Sequence, residues 1–362
     1  MTPEKFSLKE NERDARERLR AFWAGSSLGR PALYVTASRP GYQPKPWTGP
    51  ELDLKGKDVS TAWQVHVNDN ELLSTVFLAE AMPRARVIHG SSLVLVAVLS
   101  GAEYDYESDS AWVKPIADLW KRPLPKFDPA HPLADLMRRH LQALAGVVGR
   151  GALVNPPIML DGLTTLSQFR TPAQLCLDCI EAPEEVRKWS DALTTVYIET
   201  YEYFYQFVKK LGYGDTMAWL SAMAEGRMEA VQTDFSVMLS PEMFERFALP
   251  DLRRLTEYLD FSLYHLDGTC QMRFLDHLRT LKKLNGIQWN PEPPANPPTR
   301  WIAAFKEIRR RKFSLHIWVE SVEDAVFITK ALGPDGLLLV LPSFGSPAEA
   351  DAAIKKVQAA VR

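Results

Sequence analysis

Apolar positions recur in two alternating patterns along the C-terminal two thirds of the chain. Short apolar runs, such as residues 261–266 and 336–341, are each followed by a longer amphipathic segment. Capping residues mark several of the predicted helix starts, including Thr171 before Pro172 and Ser346 before Pro347. Repeated strand–helix units with short connections are typical of a parallel sheet covered by helices.

Eight segments have strand-like patterns: 31–37, 92–98, 152–160, 229–235, 261–266, 285–289, 313–318 and 336–341. The second of them could also be a short buried helix, because periodicity does not separate the two for a short apolar run. Eight such units predict an α/β fold of the (β/α)8 TIM-barrel type. A doubly wound sheet is the alternative, but no strand is followed by a glycine-rich nucleotide-binding loop.

The pattern predicts that residues 1–362 form one barrel domain. Residues 1–30 are an N-terminal helical extension, with an amphipathic helix over 9–24, and residues 38–130 are an irregular part rich in insertions. Within that part, residues 38–56 contain many prolines and glycines and predict a loop. The aromatic and acidic run 102–112 predicts either a hairpin or an excursion over the core.

Composition narrows the class of protein. A hydrophobic share of 46%, a charged share of 24% and a net charge of −2 are typical of a globular protein with no nucleic-acid partner. No apolar run approaches the ~18–20 residues of a membrane span. Three cysteines do not make a disulfide framework, and the charged N-terminus lacks the apolar core of a signal peptide. We therefore expect a cytoplasmic protein.

Polar side chains recur on one face of four successive predicted strands, near their C-terminal ends. In a barrel, alternate strand residues point to the lumen and to the helices. The residues assigned to the lumen are Gln232, Asp234, His265, Asp267, Gln288, Asn290, Ser314, His316, Trp318 and Glu320. Burying so many polar groups without water or a ligand is costly, so the pattern predicts a binding site.

Within this site, the stretch FSLYHLDGTC (261–270) carries the main catalytic candidates. We assign acid–base or metal-binding roles to His265 and Asp267, and Asp234 is the third catalytic candidate. The candidate substrate-binding residues are Gln232, Trp219, Tyr264, Gln288, Trp289, His316, Trp318 and Glu320. Simpler interpretations exist for each residue, such as a hydrogen-bonded core histidine or an Asp–Gly turn at Asp267.

Two further features have weaker functional interpretations. Cys176 and Cys179 form a CxxC motif, but they lie inside a predicted capped helix without a second pair or an adjacent histidine. Arg227 precedes a strand and could pair with a substrate carboxylate, although a surface arginine is the simpler interpretation.

Three segments resemble the uroporphyrinogen decarboxylase superfamily: DFSVMLSPEMFERFALPDL (234–252), YHLDG (264–268) and IQWNP (287–291). This superfamily includes the decarboxylases, the zinc-dependent corrinoid and coenzyme M methyltransferases, and the catalytic domain of cobalamin-independent methionine synthase. The resemblance is to a branch with a YHLDG strand end, and it covers residues 150–362 best. It implies a (β/α)8 barrel with its site at the C-terminal mouth.

The chain departs from both functional signatures of that superfamily. The region RPALYVTASRP (30–40) lacks the Arg-Gln-Ala-Gly-Arg motif of the decarboxylases, which disfavours tetrapyrrole decarboxylation. The methyltransferases bind zinc through His-x-Cys and a later cysteine, whereas here Asp267 takes the cysteine position and no cysteine follows Cys270. The resemblance then implies a zinc site formed by His265 and Asp267 with Glu320 or His316.

The resemblance implies a methyltransferase-like enzyme that acts on a small molecule, with a corrinoid or folate donor. A corrinoid protein and a second copy of the chain are the candidate partners. One alternative is a decarboxylase or other lyase that acts on a small carboxylated substrate and uses Asp234 or Asp267 as general acid. Paired carboxylates are also compatible with a glycosidase. Another alternative is a non-catalytic barrel that binds a small molecule.

Overall fold

The computed structural model describes residues 8–88, 90–107, 110–148, 151–290 and 297–361. These residues form a mixed α/β fold with a largely parallel central sheet. The strands are β1 (Ala32–Ser38), β2 (Thr75–Ala79), β3 (Arg84–Ala85), β4 (Tyr104–Glu107), β5 (Ser110–Val113), β6 (Leu153–Val154), β7 (Met228–Val231), β8 (Phe261–Asp267), β9 (Gly286–Asn290), β10 (Ser314–Trp318) and β11 (Leu337–Val340).

Helices connect and cover these strands. The α-helices are α1 (Glu12–Trp23), α2 (Leu54–Val59), α3 (Thr61–Ser74), α4 (Leu95–Leu99), α5 (Pro132–Val148), α6 (Gly162–Arg170), α7 (Pro172–Glu181), α8 (Pro183–Lys210), α9 (Pro241–Met243), α10 (Leu249–Tyr258), α11 (Leu275–Leu278), α12 (Ile302–Arg310), α13 (Val322–Leu332) and α14 (Pro347–Ala359). A π-helical turn, Phe244–Ala248, joins α9 to α10 just before Pro250. Within the described residues, no helix has both the length and the apolar character that crossing a bilayer requires.

The central sheet has seven strands in the order β2-β1-β11-β10-β9-β8-β7. Neighbouring strands from β7 to β11 and on to β1 are parallel, and β2 is antiparallel to β1. Two smaller sheets accompany it: β3 with β6 in parallel and β4 with β5 in antiparallel. The carboxyl ends of β7 to β11 therefore meet at one edge, where parallel sheets place their ligands.

Two buried clusters lie on the two faces of the central sheet. The larger cluster packs the helices against side chains such as Tyr264, Trp289 and Ile317. The smaller cluster joins α1 and residues 217–224 to Leu153, Leu263 and other side chains of the opposite face. We call this second face the inner face. Helix α1 covers the amino ends of the strands, because Trp23 contacts Phe261 and the Ser314 hydroxyl donates to the Phe22 carbonyl.

Most predicted elements are present, with some exceptions. Thr171 and Ser346 cap their helices as expected, Ser321 caps α13, and residues 104–107 and 110–113 form the hairpin. Residues 92–98 are not a strand: Ser91–Val94 is a 3-10 helix and Leu95–Leu99 an α-helix, and every residue from Val94 to Leu99 is buried. An apolar run buried all round has no periodicity to mark its type.

The extents of other elements also differ from prediction. The strands predicted over 152–160 and 229–235 are reduced to Leu153–Val154 and Met228–Val231. The pattern over 60–82 predicts one helix, but that helix ends at Ser74 and the chain continues as β2. Two short strands that the pattern does not indicate, β2 and β3, lie before residues 92–98 in the chain. Five prolines between Pro291 and Pro298 predict a turn, but residues 291–296 lie outside the described residues.

Candidate functional site

The candidate site lies on the inner face, at the carboxyl ends of β7 to β10. The register aligns His265 of β8 with Gln288 of β9, and Gln288 with His316 of β10. One step further along, Asp267 is aligned with Asn290. Because side chains alternate along a strand, these residues all point away from the helices. Strand alternation therefore explains why the predicted polar set lies on one face.

His265 is held by a defined set of hydrogen bonds. Its Nδ1 contacts the side-chain oxygen of Gln288, whose own amide nitrogen donates to the Trp289 carbonyl at 2.8 Å. Since that nitrogen faces a carbonyl, the amide oxygen must face His265, and Nδ1 carries the proton. Burial lowers the pKa of His265 below its ordinary value, against the opposing effects of Gln288 and Asp267. The neutral ring then has its free lone pair on Nε2.

Asp267 lies close to Nε2 of His265. Its Oδ1 is 3.9 Å from Nε2 of His265 and accepts a hydrogen bond of 2.6 Å from the Asn290 side chain. The Asp267 side chain is 44% exposed, while the His265 side chain is only 10% exposed. Two acceptors at this spacing can share one hydrogen-bond donor from a bound molecule. The pair is thus suited to hold a hydroxyl, thiol or amine group.

Tryptophans border the pair. The Trp219 ring meets the His265 ring edge-on, with centroids 4.8 Å apart, and lies 6.1 Å from the Trp318 ring. Trp318 is 38% exposed and its ring is 5.9 Å from that of His316. Trp219 is half-buried. These rings give the site an apolar wall beside polar groups, as is common in small-molecule sites.

His316 lies deeper than His265 and is fully buried. Neither of its ring nitrogens has a hydrogen bond of standard geometry to the described residues, although the main chain of Leu220 is close. Burial lowers the pKa of His316 to about 4, so the ring is neutral near pH 7. An unpaired buried imidazole costs free energy that a polar ligand atom or a water would recover.

A second carboxyl region adjoins the pair, after β7. The Gln232 amide donates to Asp234 at 3.4 Å, and the Asp234 main-chain N–H donates to the Thr164 hydroxyl at 3.0 Å. Burial, and then the charge of Asp267, raise the pKa of Asp234 to about 6. Asp234 therefore holds a proton more readily than an exposed aspartate.

Asp161 lies next to Asp234, since both contact Thr164, but it was not among the predicted site residues. It caps α6 by accepting from the Thr164 main-chain N–H at 3.0 Å, and burial raises its pKa to about 7, with the Asp234 charge acting in the same direction. A signal was present in the sequence: Leu-Asp-Gly at 160–162 repeats Leu-Asp-Gly at 266–268. A histidine directly precedes only the second copy.

Three predicted site residues do not join this group. Trp289 is 2% exposed and packs on the helix side, against Trp301 at 5.6 Å and Phe305 at 5.2 Å. Tyr264 is also on the helix side, where its hydroxyl donates to Gln271 at 3.0 Å. Both were assigned to the pocket although strand alternation places them opposite His265 and Gln288. Glu320 is exposed, two residues beyond the end of β10.

The donor set does not fit the predicted zinc site. A structural or catalytic zinc ion takes at least three protein ligands. Within the part of the chain that the structure describes, no three histidine, cysteine, aspartate or glutamate side chains are placed to share an ion. His265 and Asp267 are two such groups, and neither Glu320 nor His316 completes the set. We therefore derive no step through a metal.

The remaining candidates have structural partners. Cys176 and Cys179 lie in α7, as predicted, and Cys270 is exposed. Arg227 pairs with Glu202 through two hydrogen bonds, of 2.8 and 2.9 Å. This pairing accounts for Arg227 without a substrate.

Comparisons with known proteins add no family assignment. No protein-family model matches the chain, and no curated protein is significantly similar to it.

Proposed function

We propose that the protein is an enzyme in which Nε2 of His265 removes a proton from a small-molecule substrate held at the carboxyl ends of β7 to β10. The supporting observation is the hydrogen-bond chain from the Trp289 carbonyl through Gln288 to Nδ1 of His265. It leaves Nε2 as the acceptor, and burial keeps the ring neutral.

Asp267 has the supporting role in this mechanism. With Oδ1 3.9 Å from Nε2, it can accept a second hydrogen bond from the bound substrate and then stabilise the imidazolium that forms. Asn290 orients the carboxylate by donating to Oδ1. Trp219 and Trp318 would hold an apolar part of the substrate and exclude water from one side.

The reaction that we propose is methyl transfer to the deprotonated group. The substrate N–H, O–H or S–H proton goes to Nε2, and the lone pair left on that atom attacks the methyl carbon of a donor. The bond between the methyl group and the donor breaks, and its electron pair leaves with the donor. The resemblance to the methyltransferases supports a donor of the corrinoid or folate class, supplied by a partner protein or bound directly. The chain's own residues provide the base and the orientation.

A closed barrel is also part of the proposal. In chain order, β1, β3, β6, β7, β8, β9, β10 and β11 supply eight strand positions, and β3 pairs with β6 in parallel. Residues 217–224 pack with Leu153 of β6 and with Leu263 of β8 in one buried cluster. Asn155 and Met217 exchange side-chain–main-chain hydrogen bonds. These contacts support an arrangement in which the β3–β6 pair faces the same interior as the central sheet.

A second candidate reaction is a decarboxylation or other lyase step. Asp234 favours it, because a pKa of about 6 suits a general acid that returns a proton to a carbanion. In this reaction the bond to the leaving carboxylate breaks, its electrons remain on carbon, and the Asp234 proton is added there. Carbon dioxide is then the second product.

The test begins with a thermal-shift screen of small molecules, with and without divalent metal ions and methyl donors. Each ligand is incubated with the protein, and the product is identified by mass spectrometry as methylated or decarboxylated. His265→Gln should bind the ligand with similar affinity but react about 100-fold more slowly or worse, because the base is lost. His131→Gln, at a histidine before α5, is the matched control and should react normally.

Each outcome separates the candidates. Turnover that is lost in His265→Gln but kept in Asp234→Asn supports methyl transfer with His265 as base. Release of carbon dioxide by the wild-type protein, with turnover lost in Asp234→Asn, supports the lyase. If the wild-type protein binds ligands without turning them over, and both variants still bind, the result would contradict an enzyme and favour a small-molecule-binding barrel. Unchanged turnover in His265→Gln would contradict the role given to Nε2.

A further inference from the structure

Arg84 is an inner-face arginine that has no carboxylate partner among the described residues. It is aligned in the β3–β6 pair with Leu153, a member of the inner-face cluster, and is half-buried. In the part of the chain that the structure describes, no aspartate or glutamate oxygen lies within ion-pair distance of its guanidinium, whereas neighbouring Arg86 is paired with Glu71 at 2.9 Å. Placing a charge in the interior without a counter-ion is costly.

The contacts of Arg84 occupy one side of its guanidinium. Nη1 donates to the Met217 carbonyl at 2.9 Å and to the Ala218 carbonyl, and Nη2 lies 3.4 Å from the Trp219 carbonyl. No described group accepts from Nε. The edge formed by Nε and the second Nη2 hydrogen is therefore unused, and this is the edge that binds a planar carboxylate through two parallel hydrogen bonds.

Arg84 is linked to the proposed site through Trp219. The residue whose carbonyl it approaches, Trp219, places its ring against His265 with centroids 4.8 Å apart. Tyr34 is close enough for the Arg84 charge to act on its phenol. Burial, followed by repulsion from Arg86, lowers the pKa of Arg84 to about 10, which still leaves it cationic near pH 7. The Trp219 residue thus lies between a positively charged group, Arg84, and the His265–Asp267 pair.

We propose that Arg84 binds a carboxylate group of the substrate, which orients the remainder of the molecule past Trp219 toward Nε2 of His265. This inference rests on the proposed function for the position of the reacting group, but the anion subsite itself does not require any chemistry at His265. The substrate class is then a small carboxylic acid that carries an ionisable N–H, O–H or S–H group.

Arg309 provides a matched control. It also donates to three main-chain carbonyls, those of Phe313, Asp335 and Gly336. These residues lie just before β10 and β11, at the amino ends of the strands and away from the proposed site. A purely structural role for Arg84 would make Arg84→Gln and Arg309→Gln alike: both would lower stability, and neither would change ligand selectivity.

The test uses two pairs of probes, succinate with succinamide and benzoate with benzamide, titrated calorimetrically at constant ionic strength. We expect wild-type protein to bind at least one carboxylate about tenfold or more tightly than its amide. Arg84→Gln should abolish this preference and Arg84→Lys should reduce it, while Arg309→Gln should keep it. Inorganic phosphate, run in parallel, tests whether the subsite accepts any oxyanion.

Wild-type protein that binds neither carboxylate more tightly than its amide would overturn the inference, even if Arg84→Gln fails to fold. A preference that survives in Arg84→Gln would overturn it as well. His265→Gln should keep the preference, so loss of turnover in that variant with intact carboxylate binding concerns only the base. A failed base hypothesis and a failed anion subsite can thus be told apart.

Discussion

The side-chain oxygen of Gln288 accepts a hydrogen bond from Nδ1 of His265 on the neighbouring strand. This contact determines which nitrogen of the ring is available to a substrate. Replacing the amide by a carboxylate, in Gln288→Glu, should raise the pKa of His265 above its ordinary value, because a negative charge favours the imidazolium. Gln288→Leu should lower it further, because the hydrogen bond that favours the charged form is lost.

Histidine ring resonances followed by NMR against pH would measure both shifts, with His265→Gln used to assign the signal. Equal pKa values in wild type and Gln288→Glu would show that the amide does not contact the ring in solution.

Trp219 keeps water from one side of His265. Trp219→Ala should therefore move the pKa of His265 upward toward its ordinary value, because burial is the main cause of the lowering. The same titration measures this. Trp112, which is 58% exposed on the β4–β5 hairpin, is the matched control, and Trp112→Ala should leave the His265 titration unchanged. A similar shift in both variants would contradict the role of Trp219.

The two faces of the sheet predict opposite consequences for two tryptophans. Trp289 is packed between Trp301 and Phe305, so Trp289→Ala should lower the free energy of unfolding by about 3–5 kcal/mol. Trp318 is 38% exposed, so Trp318→Ala should cost about 1 kcal/mol or less and should instead weaken ligand binding. Urea denaturation gives both values. The reverse order of stability loss would place Trp289 in the pocket after all.

Glu229 predicts a pH dependence of stability. It is 5% exposed, its Oε1 accepts from the Ala230 N–H at 2.9 Å, and burial raises its pKa to about 8. The unfolded chain releases this proton near an ordinary glutamate pKa, whereas the folded chain holds it up to about 8. The unfolded state therefore binds fewer protons across this interval, and the contribution of Glu229 to stability falls as the pH rises through it.

Glu229→Gln removes that dependence. The variant should have nearly wild-type stability near the ordinary glutamate pKa, and it should be more stable by on the order of a few kcal/mol once the pH passes about 8. Urea unfolding at the two pH values measures the difference. Glu257→Gln, at an exposed glutamate of α10, is the control. A gain in the stability of Glu229→Gln that is equal at both pH values would contradict the raised pKa of Glu229.

Strand alternation accounts for what the sequence could predict. It placed His265, Gln288 and His316 on one face, and the register aligns them side by side. The same rule places Trp289 on the other face, so its assignment to the pocket followed from residue type rather than position. The helical residues 94–99 could not be distinguished from a strand, because burial on all sides removes the polar positions that mark a period.

Long-range contacts could not be predicted in this way. Arg84 contacts residues 217–219, more than 130 positions away, and no local pattern near Arg84 indicates that its partners are carbonyls rather than carboxylates. Trp219 reaches His265 through a segment without regular structure. The predicted zinc site likewise depends on the distances between strand ends, which the sequence does not give. The described residues contain no three side chains that are placed to share an ion.

The most direct test of the proposal is the protonation state of His265 near pH 7. Long-range ¹⁵N–¹H spectra of labelled protein, with His265→Gln for assignment, distinguish protonated from unprotonated ring nitrogens. The hydrogen bond to Gln288 and the lowered pKa predict a neutral ring with the proton on Nδ1 and a free lone pair on Nε2. A proton on Nε2, or an imidazolium at this pH, would contradict the role of His265 as the base.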